Sequence, residues 1–216
     1  MLKSFYMIRA MTVLLFWLGS CCLAHADPQG DPDRGHKLSL FFDTSTDILS
    51  LSHGHAIPLA VFPDRIPTLD GLPIDTMLAL TSILRNSEGI PVGVASELEE
   101  FPKAVPENTP MTWDTSWTLM LKGRGSLYLY QQEIMILDDV KIFSGAIASG
   151  QTWEGDITHP TTYGPLPGRY GLIKGGTGEF EGASGRFQEI VTLQKFTPEG
   201  FLHAQVELRL ELVEKQ

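Results

Sequence analysis

Cysteine is almost absent from this chain. The only two, Cys21 and Cys22, sit side by side among the first 26 residues. If that stretch is removed as a leader, the remaining protein has none, so disulfides, thiol nucleophiles and thiolate metal sites are excluded. Positive charge is also scarce. There are 16 Lys+Arg against 26 Asp+Glu, a formal net charge of −10. An acidic domain repels phosphate backbones, so nucleic acid is not an expected partner. No apolar run reaches the roughly 20 residues of a permanent membrane span. Asn86 and Asn108 both fail the N-x-[ST] pattern, so an N-glycan acceptor is missing. There is no internal repeat and no low-complexity tract. Beyond the leader, no segment of 12 or more residues shows a clear 3.6-residue period, which argues against a helical domain.

The leader itself is well formed. Lys3 and Arg9 precede an apolar core at 10–18, and Ala24-His25-Ala26 has the A-x-A form of a signal-peptidase site. Residues 1–26 are therefore expected to be a secretory signal, giving a secreted or periplasmic protein. Leu18-Gly19-Ser20-Cys21 also resembles a lipobox, which would leave a lipidated, membrane-anchored Cys21 instead. Loss of Lys3 and Arg9 leaves 14 Lys+Arg against 26 acids, a charge of −12. Residues 27–36 are polar and rich in Pro and Gly, and are expected to be a disordered lead-in. Residues 37–216 are enough for one well-cored domain.

That domain reads as strands. Expected strands cover 37–43, 57–62, 77–84, 90–96, 116–121, 126–137 and 140–149. Gly123-Arg124-Gly125 makes 116–121 and 126–137 a hairpin. The last strand is the clearest. Val206, Leu208, Leu210 and Leu212 alternate with Glu207, Arg209 and Glu211, so one face is buried and one is wet. Many strands joined by short Gly/Pro turns favour a closed antiparallel barrel or a sandwich. Residues 174–185, K-G-G-T-G-E-F-E-G-A-S-G, place five glycines ahead of a strictly alternating run. Such a cluster marks a crowded corner, where only Gly accepts positive φ without steric cost. Trp117, Tyr128, Tyr130 and Met120 bring large side chains to the 116–135 hairpin. They suit either the lining of an apolar ligand cavity or the filling of a barrel.

Three segments, in order, carry a family resemblance. The hairpin T-S-W-T-L-M-L followed by G-R-G-S-L, the glycine corner beginning L-I-K-G-G-T-G, and the apolar strand ending at Asp43 resemble the allene oxide cyclase and dirigent superfamily. The resemblance spans about residues 37–197. It implies an eight-stranded antiparallel closed barrel with a central apolar cavity, all-β in class. It also implies chemistry without a cofactor or metal: cyclisation, or control of how a reactive intermediate couples. Cyclase relatives use a first-strand Glu, and the nearest acid here is Asp43, preceded by Phe41 and Phe42. Glu97, Glu99 and Glu100 end another strand and offer further acids. Dirigent relatives carry an acid after G-G-T-G, where Glu179 stands, and an Arg in the following A-R-G. Ser184 occupies that Arg position, with Arg186 two residues later. The expected catalytic groups are thus Asp43, Glu97, Glu179 and Arg186. Phe41, Trp117, Tyr128 and Tyr130 are the expected substrate wall.

Other motifs carry less. Residues 175–178 lack the Lys-Ser/Thr pair of a phosphate loop. His53-Gly54-His55 has no acid cluster at metal-ligand spacing. Ser52 and Ser144 are not in a G-x-S-x-G elbow. Trp153-Glu154-Gly155-Asp156 reads as a charged loop, and 159–168, with three prolines, as a stiff loop able to cover a barrel mouth. The expected activity is a cofactor-independent cyclase or isomerase that orients an apolar polyene, polyketide or oxylipin-like molecule. The alternative is a non-catalytic carrier of such a ligand. Nothing in the sequence opposes a homo-oligomer.

Overall fold

A computed structural model describes residues 36–53, 76–103 and 109–213. The expected leader with Cys21, the expected lead-in up to residue 35 and the expected strand at 57–62 lie outside the described residues, as do Gly54 and His55. Eleven strands pair in one antiparallel sheet: β1 (His36–Asp43), β2 (Ile48–His53), β3 (Met77–Arg85), β4 (Pro91–Glu100), β5 (Met111–Leu121), β6 (Gly125–Met135), β7 (Trp153–Pro160), β8 (Thr162–Gly164), β9 (Gly171–Gly176), β10 (Ser184–Phe196) and β11 (Leu202–Val213). The order runs β1-β11-β10-β9-β6-β5-β4-β3, and a β1–β3 contact at Phe41 and Arg85 closes the ring. The result is an eight-stranded closed antiparallel barrel, the expected architecture.

Two of its eight positions are built from broken strands. β1 and β2 both run antiparallel to β3, β1 meeting its end and β2 its earlier half. The break between them is stitched by Asp47. Its carboxylate is 1 % exposed and accepts from Arg85 Nε at 2.9 and 3.0 Å and from Arg85 Nη2 at 2.6 Å. The gap between β6 and β10 is filled by β9 over part of its length, and by β8 on β6 and β7 on β10 over the rest.

Side-chain parity explains the core. Leu208, Leu210, Phe187, Leu119, Leu127 and Leu84 are fully buried and pack into one cluster with Trp117 and Phe42. A smaller cluster of Leu51, Leu78, Leu80 and Phe101 lies apart from it, with Trp113 packed against it. The glycine corner is as crowded as its sequence implies. A Cβ on Gly125, at φ 124°, would stand 2.0 Å from the Thr177 carbonyl, and one on Gly185 2.1 Å from that of Glu211.

Two expectations are corrected. Residues 140–149 are not a strand: Leu137–Ser149 is an α-helix, α1, with Asp138 and Asp139 in its first turn and Gly150 closing it in the left-handed conformation. Its Phe143 ring stacks on Phe196 at 4.5 Å. Buried Asp139 bonds His159 Nε2 of β7 at 3.0 Å, fixing the helix to the barrel. Residues 153–164 are strands β7 and β8 rather than a loop, because their backbone completes the gap beside β6 and β10.

Candidate functional site

Four glutamates point into the barrel. Glu97 and Glu99 alternate inward on β4, Glu133 on β6 and Glu189 on β10, and all are buried. Register brings them together. Glu97 pairs across to Trp117, Glu99 to Thr115, and Glu133 to Trp113 on β5. One carboxylate oxygen from each of Glu97, Glu99 and Glu133 lies within 4.8 Å of the others. The interior is therefore two-part, an apolar half and an acidic half. The expectation of a central apolar cavity is corrected to that extent.

The hydrogen bonds around the cluster are specific. Gln131 Nε2 donates to Glu133 Oε1 at 2.8 Å and to Glu189 Oε2 at 2.5 Å. The orientation of that amide is fixed by Thr162, whose hydroxyl donates to Gln131 Oε1 at 2.6 Å while accepting from the Glu189 amide at 2.7 Å. This knot sits where β8 and β9 divide the gap. Trp113 Nε1 donates to Glu99 at 3.1 Å. Glu97 and Glu99 share a carboxyl–carboxyl hydrogen bond. Trp117, opposite Glu97, buries an indole N–H with no hydrogen-bond partner.

Burial dominates the electrostatics, because ionising a desolvated carboxyl is unfavourable. It lifts Glu97 well above the carboxylate range, helped by the charges of Glu99, Glu189 and Glu133. Burial and the charge of Glu133 do the same to Glu99 and Glu189. Glu133 is pushed up by burial to about 7, with the Thr115 hydroxyl and the Gln131 amide pulling the other way. Near neutral pH the cluster thus holds protonated carboxyls beside one that is close to giving up its proton. Three carboxylates at this spacing could also ligate a hard cation through oxygen.

The expected site residues divide sharply. Glu97 and Trp117 are inside, side by side. The others lie outside: Asp43, Phe41, Tyr128, Tyr130 and Arg186 occupy the opposite strand parity, and Glu179 sits in the short 3-10 turn Gly178–Phe180 of the glycine corner. Asp43 accepts from Ser45 and pairs with His203 at 3.1 Å. Burial raises its carboxyl, but these bonds outweigh it and hold it below the ordinary value. Glu179 pairs with Arg124 at 2.7 Å, and its own side chain is exposed. Arg186 pairs with Glu211 at 2.6 Å and lies over the Tyr170 ring at 4.1 Å. Phe41 faces outward opposite Glu207. Tyr128 is 42 % exposed, and the Tyr130 hydroxyl, bonded to Asp114 at 2.5 Å, is pushed up to about 12. These six are not brought to Glu97. Glu133, Glu189 and Gln131 are the interior groups that the sequence reading missed. Their signal was present, since Gln131 and Glu133 continue the inward series of Leu127 and Leu129, and Glu189 follows Phe187 two residues on.

No protein-family profile and no curated protein sequence matches the chain. Among solved structures, one of pyocyanin demethylase is similar over 81 % of this chain and 99 % of that one, at 17 % identity and a TM-score of 0.41. Another, of the pterocarpan synthase dirigent protein, is similar over 85 % of this chain and 87 % of that one, at 15 % identity and a TM-score of 0.43.

Proposed function

We propose that the barrel binds a small, largely apolar molecule against the glutamate cluster and shifts a proton on it, as a cofactor-independent isomerase or cyclase. The observation that carries this reading is the set of four buried glutamates that three strands bring together inside the barrel, each with its proton affinity raised. Carboxyls this close ionise one after another, so a protonated and an ionised member stand side by side at one pH. In this reading Glu97 and Glu99, held neutral, donate to an oxygen of the substrate. Glu133, poised near neutrality, takes a proton from carbon, and Gln131 steadies it. The unpartnered Trp117 N–H offers a further donor to the same oxygen. The proton taken at one position is returned at another, so the reaction is redox-neutral. The apolar half of the interior orients the carbon skeleton.

Mass spectrometry of the natively purified protein tests binding first. A co-purifying apolar molecule with an oxygen acceptor is expected. Incubation of that molecule with fresh protein should change its structure without changing its mass. Glu97→Gln and Glu133→Gln should keep binding and lose at least a hundredfold in turnover. A ligand released unchanged by the parent protein would make the barrel a carrier. Full turnover in both variants would remove the cluster from the chemistry.

A further inference from the structure

The hydrogen-bond knot at Gln131 has a direction. Thr161 ties the two flanking strands together: its N–H donates to the Glu189 carbonyl at 3.0 Å, and its carbonyl accepts from the Ile134 N–H at 2.9 Å. Thr162, the next residue, pairs with Glu133 on β6 and is fully buried. A hydroxyl has one hydrogen to give. The Glu189 backbone N–H can only donate, and it reaches the Thr162 oxygen at 2.7 Å. The Thr162 hydrogen goes to Gln131 Oε1 at 2.6 Å. Gln131, also fully buried, is left with both Nε2 hydrogens for the carboxyls. One goes to Glu133 Oε1 and the other to Glu189 Oε2.

In a carboxylic acid the carbonyl oxygen is the better acceptor, and the other oxygen carries the hydrogen. A neutral Glu133 therefore holds its proton on Oε2, and a neutral Glu189 on Oε1. A carboxyl without such partners could use either oxygen.

We propose that Thr162 is a positioning residue of the glutamate cluster: through Gln131 it reserves Oε1 of Glu133 as an acceptor and leaves Oε2 as the oxygen that takes and returns the proton. This rests on the reading of Glu133 as the base. The titratable groups that face Glu133 are Glu97 and Glu99 of β4 and Glu189 of β10, all acids. β5 and β8, beside it, bring no titratable side chain inward. Burial opposes the ionised form of Glu133, and the Thr115 hydroxyl and the Gln131 N–H support it. Without the Thr162 hydroxyl, nothing holds the Gln131 amide one way round. Turned over, it sets Oε1 against Glu133, and an acceptor there favours the protonated carboxyl.

Carbon-13 NMR of the glutamate carboxyls reads this without a substrate, the Glu133 signal being the one lost in Glu133→Gln. The parent midpoint should lie near 7. In Thr162→Val it should rise by roughly 1–2 pH units, as for the loss of one hydrogen bond to a charged group. Thr162→Ser, which keeps the hydroxyl, should return it to the parent value. Thr162→Val added to Gln131→Leu should shift it no further than Gln131→Leu alone, because the hydroxyl acts through that amide. In nitrogen-15 spectra of the parent, which need no variant, both Gln131 side-chain hydrogens should resist exchange with solvent. A midpoint unmoved by Thr162→Val, an equal shift in Thr162→Ser, or a freely exchanging Gln131 amide in the parent would overturn the positioning role. The reading of Glu133 as the base is judged separately, by the turnover of Glu133→Gln.

Discussion

The acidic half of the barrel should make the protein more stable when one glutamate is neutralised. Glu133 is the group to change. Its carboxyl binds a proton up to about 7 in the fold, against an ordinary value near 4.5. Between those values the folded state holds a proton that the unfolded state has released, so stability falls as pH rises. Below the ordinary value both states are protonated and there is no deficit. Above 7 both are ionised and the full deficit, about 3 kcal/mol, is present. Glu133→Gln keeps the shape and the acceptor oxygen for Gln131 while removing the charge. Urea unfolding followed by tryptophan fluorescence should show no gain at pH 4.5 and a gain of about 3 kcal/mol at pH 8.5. In a domain of this size, that corresponds to roughly 6–12 °C in Tm. A gain of equal size at both pH values would show that the effect is packing, not charge. A loss at pH 8.5 would show that an ionised Glu133 is compensated by a bound cation, and the burial argument would fail.

Three further outcomes follow from other parts of the wall. Gly125→Ala should cost more than about 3 kcal/mol, because its Cβ meets the Thr177 carbonyl at 2.0 Å, whereas Gly89→Ala, with open space around it, should cost about 1 kcal/mol, as thermal melts would show. Arg85→Met should cost about 3–5 kcal/mol in urea unfolding, since it leaves the Asp47 carboxylate buried without its cation. The Asp139 hydrogen bond raises His159 above its ordinary 6.5, so its contribution is complete below that value and fades as pH climbs through the folded value. Asp139→Asn should therefore lose about 1–3 kcal/mol at pH 5.5 and clearly less at pH 9, and equal losses would refute the charged pair.

The parts of the fold that the sequence showed were those where one strand face is plainly apolar. From His203 to Leu212 β11 alternates, and Val206, Leu208, Leu210 and Leu212 are all buried. The glycine corner was legible because its crowding leaves glycine as the only fit. The site was less legible because β4, β5 and β6 carry apolar residues on both faces. Along β6 the inward series is Leu127, Leu129, Gln131, Glu133, while the outward series holds Tyr128 and Tyr130. Parity groups residues into two faces but does not say which is inside, and aromatic rings suggested the wrong one. The helix was missed because its apolar residues are spread around it: Val140 and Ile147 are exposed while Ala146 is buried, so no strong stripe forms.

The way the ring closes sets a limit on when it can form. β1 is held by β11, and Ser39 bonds Glu207 across 168 positions of sequence. No shorter-range pairing covers that edge of β1, so the first strand has no full complement of neighbours until the last has been made. Loop closure on that scale must precede any gain from the contact, which places this chain among slow folders of high contact order. The barrel therefore cannot close before β11 exists. A growing chain would carry its first strand, with the unpaired backbone of an open edge, until Leu202–Val213 has been made, and truncation within that strand should leave an open sheet rather than a smaller barrel.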